Sequence, residues 1–291
     1  MKEKICFIGF GVMGAPMAGH LACAGYAVTA YSRTHAKVEL WLTENQAYEV
    51  SSASSLDKAV ADADIIISCV GNDHDLMGLA QGDHGIVKSA KEGAIWLDHT
   101  TSSAKIAREL YQAMRERGQH FIDAPISGGQ SGAENGCLTV MAGGEADIFN
   151  RLEAVLACYS KSATLIGPSG AGQLTKMVNQ ICLAGTIQGL SEGIHFAQQA
   201  GLDAEKVIAA IQHGAAQSWQ MDNRAETMIA DHFEYGFAVD LMRKDLGICL
   251  DQARAMQTGL PVAALVDQFY ADVQSMGGNR WDTSSLIKRL K

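Results

Sequence analysis

The sequence predicts an α/β protein: an N-terminal doubly wound sheet, then a long interdomain helix, then an all-α C-terminal domain. Strand-like and helix-like hydrophobic patterns alternate through the first half, whereas nearly every segment after residue 200 has a helical pattern. Between these halves, residues 170–200 form an apolar stretch without proline, which is typical of one long buried helix. The expected domains are residues 1–167, the helix over 168–200, and residues 201–291.

The composition indicates a globular protein that binds neither nucleic acid nor a membrane. Of 291 residues, 47% are hydrophobic and 19% are charged, and the formal net charge of −9 would be repelled by phosphate groups. The seven cysteines include no C-x-x-C pair, and the nine histidines lack the spacing of metal ligands. We therefore expect reduced thiols, a cytoplasmic location and no metal site.

The first chemical motif is glycine-rich and lies between a strand pattern and a helix pattern. Residues 4–9 resemble a short buried strand, the motif G-x-G-x-x-G follows, and a second strand pattern occupies Ala27–Tyr31. Glycines in this context allow a tight turn and a close approach to a pyrophosphate at the helix N-terminus. The pattern predicts a Rossmann dinucleotide site. Its expected contacts are Gly9, Gly11, Val12, Met13 and Gly14.

The end of the second strand favours NADP(H) over NAD(H). An NAD site would carry Asp or Glu there to hold the ribose 2′-hydroxyl, whereas this chain has Ser32, Arg33 and Thr34. No carboxylate at this position would repel a 2′-phosphate, and Arg33 could bind one through charge-assisted hydrogen bonds. We expect NADP(H) to be preferred and NAD(H) to be possible. The alternative is that Arg33 is a solvated surface side chain.

Two later strands end in segments that should lie on the cofactor side of a parallel sheet. The strand at Ala63–Val70 exits into Gly71 and Asn72, and the strand at Ala94–Leu97 exits into residues 98–102. Ligands of doubly wound sheets bind beyond the carboxyl ends of the strands, so both exits are expected beside the nicotinamide. Residues 98–102 could instead only cap the helix predicted to follow them. The first exit makes Val70, Gly71 and Asn72 cofactor-binding candidates.

A second glycine-rich segment, residues 125–133, follows the strand pattern at Phe121–Ala124. Its Ser127, Gly128 and Gly129 could present several backbone N–H groups to an anion, or could form a plain β-turn. The remaining predicted elements of the first half are strands at 138–142 and 163–166 and a helix at 145–157.

Lys176 is the unusual residue of the long helix. Lysine is almost never fully buried without a partner, and Asn179 and Gln180 lie three and four residues further, on the same side. This lysine could transfer protons, or it could extend its amine to the surface near the helix end. Polar residues such as Gln188 and Glu192 interrupt the apolar run before it reaches the length of a membrane span.

Four motifs together resemble the β-hydroxyacid dehydrogenases. This family includes 3-hydroxyisobutyrate dehydrogenase, tartronate semialdehyde reductase and the glyoxylate/succinic semialdehyde reductases. The motifs are GFGVMGAPMA at 9–18, DAPISGG at 123–129, GAGQLTKMVNQ at 170–180 and KDLG at 244–247. The resemblance covers essentially the whole chain. It implies a Rossmann domain, a long interdomain helix and a helical domain that forms a homodimer or homotetramer.

The resemblance also implies roles for individual residues. Lys176 matches the catalytic acid/base, and either Asn179 or Gln180 would be the catalytic amide, since many members have asparagine where this chain has Gln180. The implied substrate positions are Ser127, Gly128, Gly129 and, by region only, Trp219; the implied cofactor positions are Asn72, Thr101 and Lys244. Without the resemblance, Lys244 and Asp245 would be interpreted as a solvated ion pair.

The expected activity is reversible hydride transfer between NADP(H) and a small 3-hydroxy acid, as in 3-hydroxyisobutyrate dehydrogenase. Lys176 would protonate the substrate oxygen in reduction and accept its proton in oxidation, with a pKa lowered by burial and by an oxidised nicotinamide. One alternative is a reductase of glyoxylate, succinic semialdehyde or tartronate semialdehyde. Another is a noncatalytic NADP-binding module, because fold alone does not give function.

Overall fold

The computed structural model describes residues 2–291 and divides the chain into two compact units. The first unit ends at Lys176, and the second extends from Met177 to Lys291. The division falls inside α10, one continuous helix over Ala171–Gln199. The long helix predicted at residues 170–200 is therefore present.

The first unit is built on a nine-stranded sheet. Its strands are β1 (Ile5–Ile8), β2 (Val28–Tyr31), β3 (Val50–Ser52), β4 (Ile65–Ser68), β5 (Ile95–Asp98), β6 (His120–Asp123), β7 (Ile126–Ser127), β8 (Leu138–Gly143) and β9 (Ser160–Gly167). Its helices are α1 (Gly14–Cys23), α2 (His35–Glu44), α3 (Leu56–Val60), α4 (Asp73–Ala80), α5 (Ile86–Ser89), α6 (Ala104–Arg115), α7 (Gly129–Glu134), α8 (Ala146–Arg151) and α9 (Glu153–Leu156).

The strand order confirms the predicted Rossmann fold. Six strands pair in parallel in the order β3-β2-β1-β4-β5-β6, after which β8 pairs antiparallel to β6 and is flanked by β7 and β9. The order reverses between β1 and β4, where Ile8 lies opposite Ser68. In sheets of this class, ligands bind outside the carboxyl ends of the strands at such a switch point.

The central strands β1, β4 and β5 are buried along their whole length, because both faces of the sheet are covered there, which explains why these strands are nearly continuous apolar runs. Along β1, Phe7 packs into the core on one face of the sheet, whereas Cys6 and Ile8 pack into the core on the other. Trp96 and Leu97 of β5 divide between the same two cores. Alternation of side chains along each strand therefore fills both layers between sheet and helices.

Two predicted segments of the first unit differ in the structure. The single helix expected at 145–157 is two helices, α8 and α9, because the chain tightens at Leu152, whose N–H donates to the carbonyl of Phe149 at 2.9 Å. The glycine-rich segment is not a plain turn, since it contains β7 and the start of α7. The helices and strand within residues 35–60 were not predicted.

The second unit contains only helices, as predicted. They are the remainder of α10, then α11 (Ala204–Ile211), α12 (Trp219–Ile229), α13 (Val239–Ala255), α14 (Pro261–Ser275) and a 3-10 helix at Thr283–Leu290. Asp203 caps α11 by accepting the N–H of Lys206 at 3.2 Å. No helix within residues 2–291 combines the length and the apolar character that crossing a membrane requires.

The expectation that α10 is buried on every side is wrong. Val178 and Phe196 are 60% and 72% exposed, and Cys182 on the same helix is also exposed. Positions three or four residues apart share one side of a helix, so these residues belong to an exposed stripe, which also carries the polar residues Thr186 and Glu192. Hydrophobicity alone could not distinguish such a stripe from a buried face.

Candidate active site

Three glycines after β1 form a cradle with an open side. Gly9 has a φ of +100°, and a Cβ added there would lie 2.2 Å from the carbonyl oxygen of Cys69. A Cβ on Gly14 would lie 1.9 Å from the carbonyl oxygen of Gly9. By contrast, a Cβ on Gly11 would meet no heavy atom within 4 Å. The outer glycines are therefore required by close packing, whereas Gly11 borders open space.

The chain after Gly11 presents the N-terminus of α1 to that space. Val12 is 61% exposed, and Met13 is the N-cap of α1 but contributes no side-chain hydrogen bond. First-turn amides of a helix without a side-chain cap are suited to bind phosphate oxygens. The residues present therefore fit the pyrophosphate of a dinucleotide cofactor.

Ser32, Arg33 and Thr34 follow the carboxyl end of β2, as the sequence predicts. The N–H of Thr34 donates to Oγ of Ser32 at 3.3 Å, so these two residues form a local turn. Arg33 is exposed beside this turn.

A carboxylate does lie beside Arg33, contrary to the sequence prediction. Nη2 of Arg33 is 2.9 Å from Oδ1 of Asp75, whose side chain is only 15% exposed. Asp75 is held in place because its Oδ2 accepts the N–H of Gly71 at 3.2 Å, and its own N–H donates to Oδ1 of Asn72 at 2.9 Å. Asn72 is thus the N-cap of α4. The carboxylate comes from a segment 42 positions further along the chain, where no local pattern could reveal it.

A buried hydrogen-bond network joins the exits of β4 and β5. Oδ1 of Asp98 accepts from Oγ of Ser68 at 2.6 Å and from Oγ1 of Thr100 at 2.7 Å. Nε1 of Trp96 donates to Oγ of Ser68 at 2.8 Å, and the N–H of Val70 donates to Oγ1 of Thr100 at 3.0 Å. Burial raises the pKa of Asp98 to about 7, against the opposing effect of these hydrogen bonds. The network fixes both strand exits relative to each other.

His99 connects the end of β5 to Ala124 and Tyr159 through its two ring nitrogens. Both nitrogens are therefore engaged, and neither is free for acid–base chemistry. Nδ1 of His99 lies 2.6 Å from the carbonyl oxygen of Ala124, and its Nε2 lies 2.9 Å from the hydroxyl of Tyr159. Because a carbonyl can only accept, Nδ1 carries the proton and Nε2 accepts from Tyr159. Burial lowers the pKa of His99 to about 4, so the ring is neutral at physiological pH.

The start of α10 is attached to the ends of β5 and β6. Asp123 ends β6, and its Oδ1 and Oδ2 accept the N–H groups of Gly170 at 2.7 Å and of Gln173 at 3.0 Å. Burial raises the pKa of Asp123 to about 6, and these two hydrogen bonds oppose the rise. The side chain of Gln173 donates to the carbonyl of Thr100 at 2.7 Å and accepts the N–H of Ser102 at 3.0 Å. These two bonds hold the residues immediately before and after Thr101.

Lys176 follows one helical turn after this attachment. It is only 7% exposed, although the sequence allowed its amine to extend to the surface. Thr101, between the two residues that Gln173 holds, is half-buried. The last residue of the first unit is therefore a buried lysine on a helix whose first turn is fixed to the carboxyl ends of two strands.

Ser127, Gly128 and Gly129 join β7 to α7. Gly128 and Gly129 have φ values of +132° and +63°, which a residue with a side chain rarely adopts. A Cβ on Gly128 would lie 3.2 Å from Leu138, whereas one on Gly129 would meet no atom within 4 Å. Ser127 is half-buried and both glycines are exposed. The segment thus has an open side on which backbone groups are accessible.

In the second unit, both candidate amides belong to one hydrogen-bonded chain. Nδ2 of Asn179 donates to Oε1 of Gln180 at 2.8 Å, and Nε2 of Gln180 donates to Oδ2 of Asp245 at 2.6 Å. Nζ of Lys244 lies 3.0 Å from Oδ1 of the same carboxylate. Asp245 is 2% exposed, so the interpretation of Lys244 and Asp245 as a solvated pair is wrong. The amide of Gln180 is occupied at both ends.

Trp219 is the first residue of α12 and is 50% exposed. The guanidinium of Arg224 lies 5.0 Å from the Trp219 ring centroid and 5.0 Å from that of Tyr235. The same guanidinium pairs with Asp282 at 3.2 Å. A cation–π contact with an anchored arginine therefore holds the exposed indole in place.

Sequence reasoning missed four residues that organise the first unit: Asp75, His99, Asp123 and Gln173. Asp123 and Gln173 lie inside recognised motifs, so the motifs themselves were the available signal. Asp75 and His99 carry no comparable pattern. Residues 2–291 contain no group of three or more His, Cys, Asp or Glu side chains arranged to hold a metal ion.

Comparisons with known proteins cover the whole chain. The family model for the NAD binding domain of 6-phosphogluconate dehydrogenase matches residues 4–167. The model described as NAD-binding of NADP-dependent 3-hydroxyisobutyrate dehydrogenase matches residues 170–290.

Individual relatives agree with these matches. An uncharacterized oxidoreductase of Shewanella frigidimarina is 56% identical, with 99% of this chain and 98% of the relative aligned. The 2-hydroxy-3-oxopropionate reductase of Escherichia coli is 33% identical, over 99% and 97% of the two chains. The structure of Mycobacterium tuberculosis 3-hydroxyisobutyrate dehydrogenase with L-serine superposes with a TM-score of 0.89 at 27% identity and covers 100% of both chains.

Proposed function

Because the chain belongs to the 3-hydroxyisobutyrate dehydrogenase-like family of NAD(P)-dependent β-hydroxyacid dehydrogenases, we propose that it transfers hydride reversibly between NADP(H) and a small 3-hydroxy acid or its semialdehyde. The observation that carries this proposal is the buried Lys176, one turn into a helix attached to the carboxyl ends of β5 and β6. A bound nicotinamide supplies or accepts the hydride, and the chain must therefore supply orientation and a proton.

Lys176 exchanges that proton. In reduction, its ammonium group donates to the substrate oxygen as negative charge develops there; in oxidation, the neutral amine accepts the hydroxyl proton. The low exposure of this side chain supports the assignment, since a group shielded from water can act on substrate without competition from solvent.

Asn179 is the amide that polarises the same substrate oxygen. Asn179 and Gln180 lie three and four residues after Lys176 and share its side of the helix, so spacing does not separate them. One observation favours Asn179. Gln180 is occupied at both ends, by Asn179 and by the buried Asp245. Gln180 therefore orients Asn179 rather than contacting substrate.

The substrate carboxylate binds at Ser127, Gly128 and Gly129. The exposed glycines and the open side at Gly129 support this assignment, because backbone N–H groups can approach an anion closely where there is no Cβ. Holding the carboxylate fixes the distance from the substrate carbon to the nicotinamide, which is the main contribution of such anchors to the rate. The substrate-binding role of Trp219, in the second unit, rests on the family resemblance; its exposed indole is held by Arg224.

The cofactor is held by the glycine cradle and by the exits of β2, β4 and β5. The cradle residues Gly9, Gly11, Val12, Met13 and Gly14 bind the pyrophosphate, while Val70, Gly71, Asn72 and Thr101 bind the nicotinamide half. The role of Lys244, in the second unit, rests on the family resemblance alone. Arg33, between Ser32 and Thr34, binds the 2′-phosphate and makes NADP(H) the preferred cofactor. The exposure of Arg33 supports this role, although a phosphate must share the guanidinium with Asp75.

A second candidate activity is the reduction of a semialdehyde such as 2-hydroxy-3-oxopropionate, which is tartronate semialdehyde. The relative from Escherichia coli that bears this substrate in its name favours it. Glyoxylate and succinic semialdehyde belong to the same candidate group. All of these substrates use the same proton donor and carboxylate anchor, and they differ only in the group that the pocket must accommodate.

The decisive experiment measures NADPH oxidation with a panel of methylmalonate semialdehyde, tartronate semialdehyde, succinic semialdehyde and glyoxylate. We expect kcat/KM to be highest for one of them, and we expect Lys176→Ala to lower its kcat about 10²- to 10⁴-fold. Lys161→Ala is the matched control, because it removes an exposed lysine from β9 of the same unit. Near-normal turnover in Lys176→Ala would refute the proton-transfer role. NADPH binding without turnover of any substrate would favour the noncatalytic alternative.

We also propose that the protein is a cytoplasmic homodimer or homotetramer. The exposed Val178 and Phe196 of α10 support self-association, because large apolar side chains are stabilised by burial against another chain. None of the seven cysteines forms a disulfide, which supports a reducing compartment.

A further inference from the structure

The first turn of α10 rests directly on the backbone of the sheet. A Cβ on Gly172 would lie 2.5 Å from the carbonyl oxygen of Met141 and 2.6 Å from that of Asp123. A Cβ on Gly143, the residue opposite Asp123 in the β6–β8 pair, would lie 2.7 Å from the N atom of Gly172. Two glycines therefore permit a contact between helix and sheet that any side chain would prevent.

The carboxylate of Asp123 lies at the centre of this contact. One oxygen accepts the N–H of Gly170 and the other accepts that of Gln173, so a single side chain satisfies two amides at the helix start. Oγ of Ser169 approaches the first oxygen to 3.4 Å. Because both oxygens are engaged, the carboxylate specifies the position of the helix along β6 and also its rotation.

Lys176 lies three residues after Gln173 on this helix, on the same side. The side chain of Gln173 meanwhile holds the residues before and after Thr101. A shift of the first turn would therefore move the buried lysine and the Thr101 segment together. Misplacing a reacting group by about 1 Å can cost about 100-fold in rate.

We propose that Asp123 is a positioning residue for Lys176: its carboxylate fixes the first turn of α10 to the end of β6 and thereby sets where the lysine presents its amine. This inference rests on the proposed function, in which Lys176 exchanges the proton. Both oxygens of Asp123 are engaged by backbone N–H groups, so its role is to position the helix.

The charge of Asp123 adds a second effect that a purely structural residue would not have. A carboxylate near the N-terminus of α10 opposes the positive end of the helix dipole and favours a protonated amine nearby. The other charged groups around this end are Asp98, opposite Asp123 in the β5–β6 pair, and Arg108 of α6, whose Nε would lie 3.0 Å from a Cβ on Gly170. Glu145, which precedes α8, accepts a hydrogen bond from Tyr111.

The test compares four variants by kcat, KM, the pH dependence of kcat and thermal melting. Asp123→Asn keeps the size of the side chain but replaces one acceptor oxygen with a donor facing an N–H group. We expect kcat to fall about 10- to 100-fold with the KM for cofactor changed less than about threefold. In the oxidative direction, the pH of half-maximal kcat should move down by about 0.3–0.7 unit. Unchanged kcat and pH dependence in a folded Asp123→Asn protein would overturn the proposal.

Gly172→Ala displaces the helix start without changing charge. It should lower kcat without changing the pH at which kcat is half-maximal. If Asp123→Asn does not fold, Gly172→Ala tests the positioning role in its place. Wild-type kcat in Gly172→Ala would also overturn the proposal.

Asp282→Asn is the matched control for loss of a buried carboxylate. Asp282 is fully buried in the second unit and accepts the N–H groups of Phe237 at 2.9 Å and of Ser284 at 3.0 Å. Because Asp282 also pairs with Arg224, which holds Trp219, the comparison uses kcat at saturating substrate. This variant should lower the melting temperature at least as much as Asp123→Asn, and it should keep the wild-type pH dependence. A shifted pH dependence here would show that destabilisation alone causes it, which would overturn the proposal.

The fourth variant, Lys176→Ala, separates the two hypotheses. If it retains turnover, the proposed proton-transfer role fails. If it loses turnover while Asp123→Asn retains both kcat and its pH dependence, only the positioning role fails.

Discussion

The ion pair between Arg33 and Asp75 allows the preference for NADPH over NADH to be estimated and tested. Their atoms approach to 2.9 Å, but the Arg33 side chain is 76% exposed, so this ion pair contributes at most about 1 kcal/mol. Charge-assisted hydrogen bonds from Arg33 to a 2′-phosphate would contribute about 1.5–3 kcal/mol. After the lost Asp75 pair is subtracted, about 0.5–2 kcal/mol remains, which corresponds to about 2- to 30-fold in Kd.

We therefore expect Arg33→Ala to raise the Kd for NADPH about 2- to 30-fold and to leave the Kd for NADH unchanged within error. Asp75→Asn should lower the Kd for NADPH by up to about fivefold, because it removes a competing negative charge. Asparagine retains an oxygen that can accept the N–H of Gly71, so the loop after β4 should keep its conformation. The effect of Asp75→Asn should disappear when Arg33 is also replaced by alanine.

The assay is titration of NADPH and NADH fluorescence with enzyme, without substrate, at low and high salt. Asp83→Asn is the matched control, since it removes an exposed carboxylate of the same unit that pairs with Lys88 instead. High salt should weaken the effects of Arg33→Ala and Asp75→Asn, because exposed charges are screened. Equal changes in the Kd for NADPH and NADH would refute the reasoning, as would no change in either.

Two further predictions follow from buried polar groups. Gln180→Leu should lower kcat about tenfold at an unchanged KM for cofactor, because Asn179 loses the acceptor of its hydrogen bond. Gln188→Leu on the same helix is the control. Equal kcat in both variants would contradict the role of Gln180 in orienting Asn179. The free energy of unfolding should rise as pH falls from 8 to 6.5. Burial raises the pKa of Asp98 from 3.8 to about 7 and that of Asp123 to about 6, so the folded state binds more protons than the unfolded state in this range. His99, with its pKa lowered from 6.5 to about 4, partly opposes this trend as its imidazole in the unfolded state gains a proton around pH 6.5. Urea midpoints should therefore show a smaller rise in Asp98→Asn than in the wild type, and an equal rise would contradict the sign of that pKa shift.

The positions of the strands and long helices were predictable because they depend on local patterns. Ile65–Ile67 indicated a strand buried on both faces, and the glycines after β1 indicated the turn that a dinucleotide site requires. The break at Leu152 was not predictable, since the hydrophobic pattern continues through it. The exposed stripe of α10 was missed for a related reason: hydropathy reports how apolar a residue is, not whether anything covers it.

The sequence by itself determined the fold class, the dinucleotide motif and the identity of the candidate lysine. Each depends on residue types at short, fixed spacings. Only the tertiary structure decided which partners those residues have. Asp75 reaches Arg33, Asp123 holds the start of α10, and Asp245 occupies Gln180. These carboxylates lie 42 to 65 positions along the chain from their partners. Separations of this length leave no periodic pattern in a sequence. The physical reason is that a hydrogen bond depends on distance in space, which folding sets only after distant segments have packed.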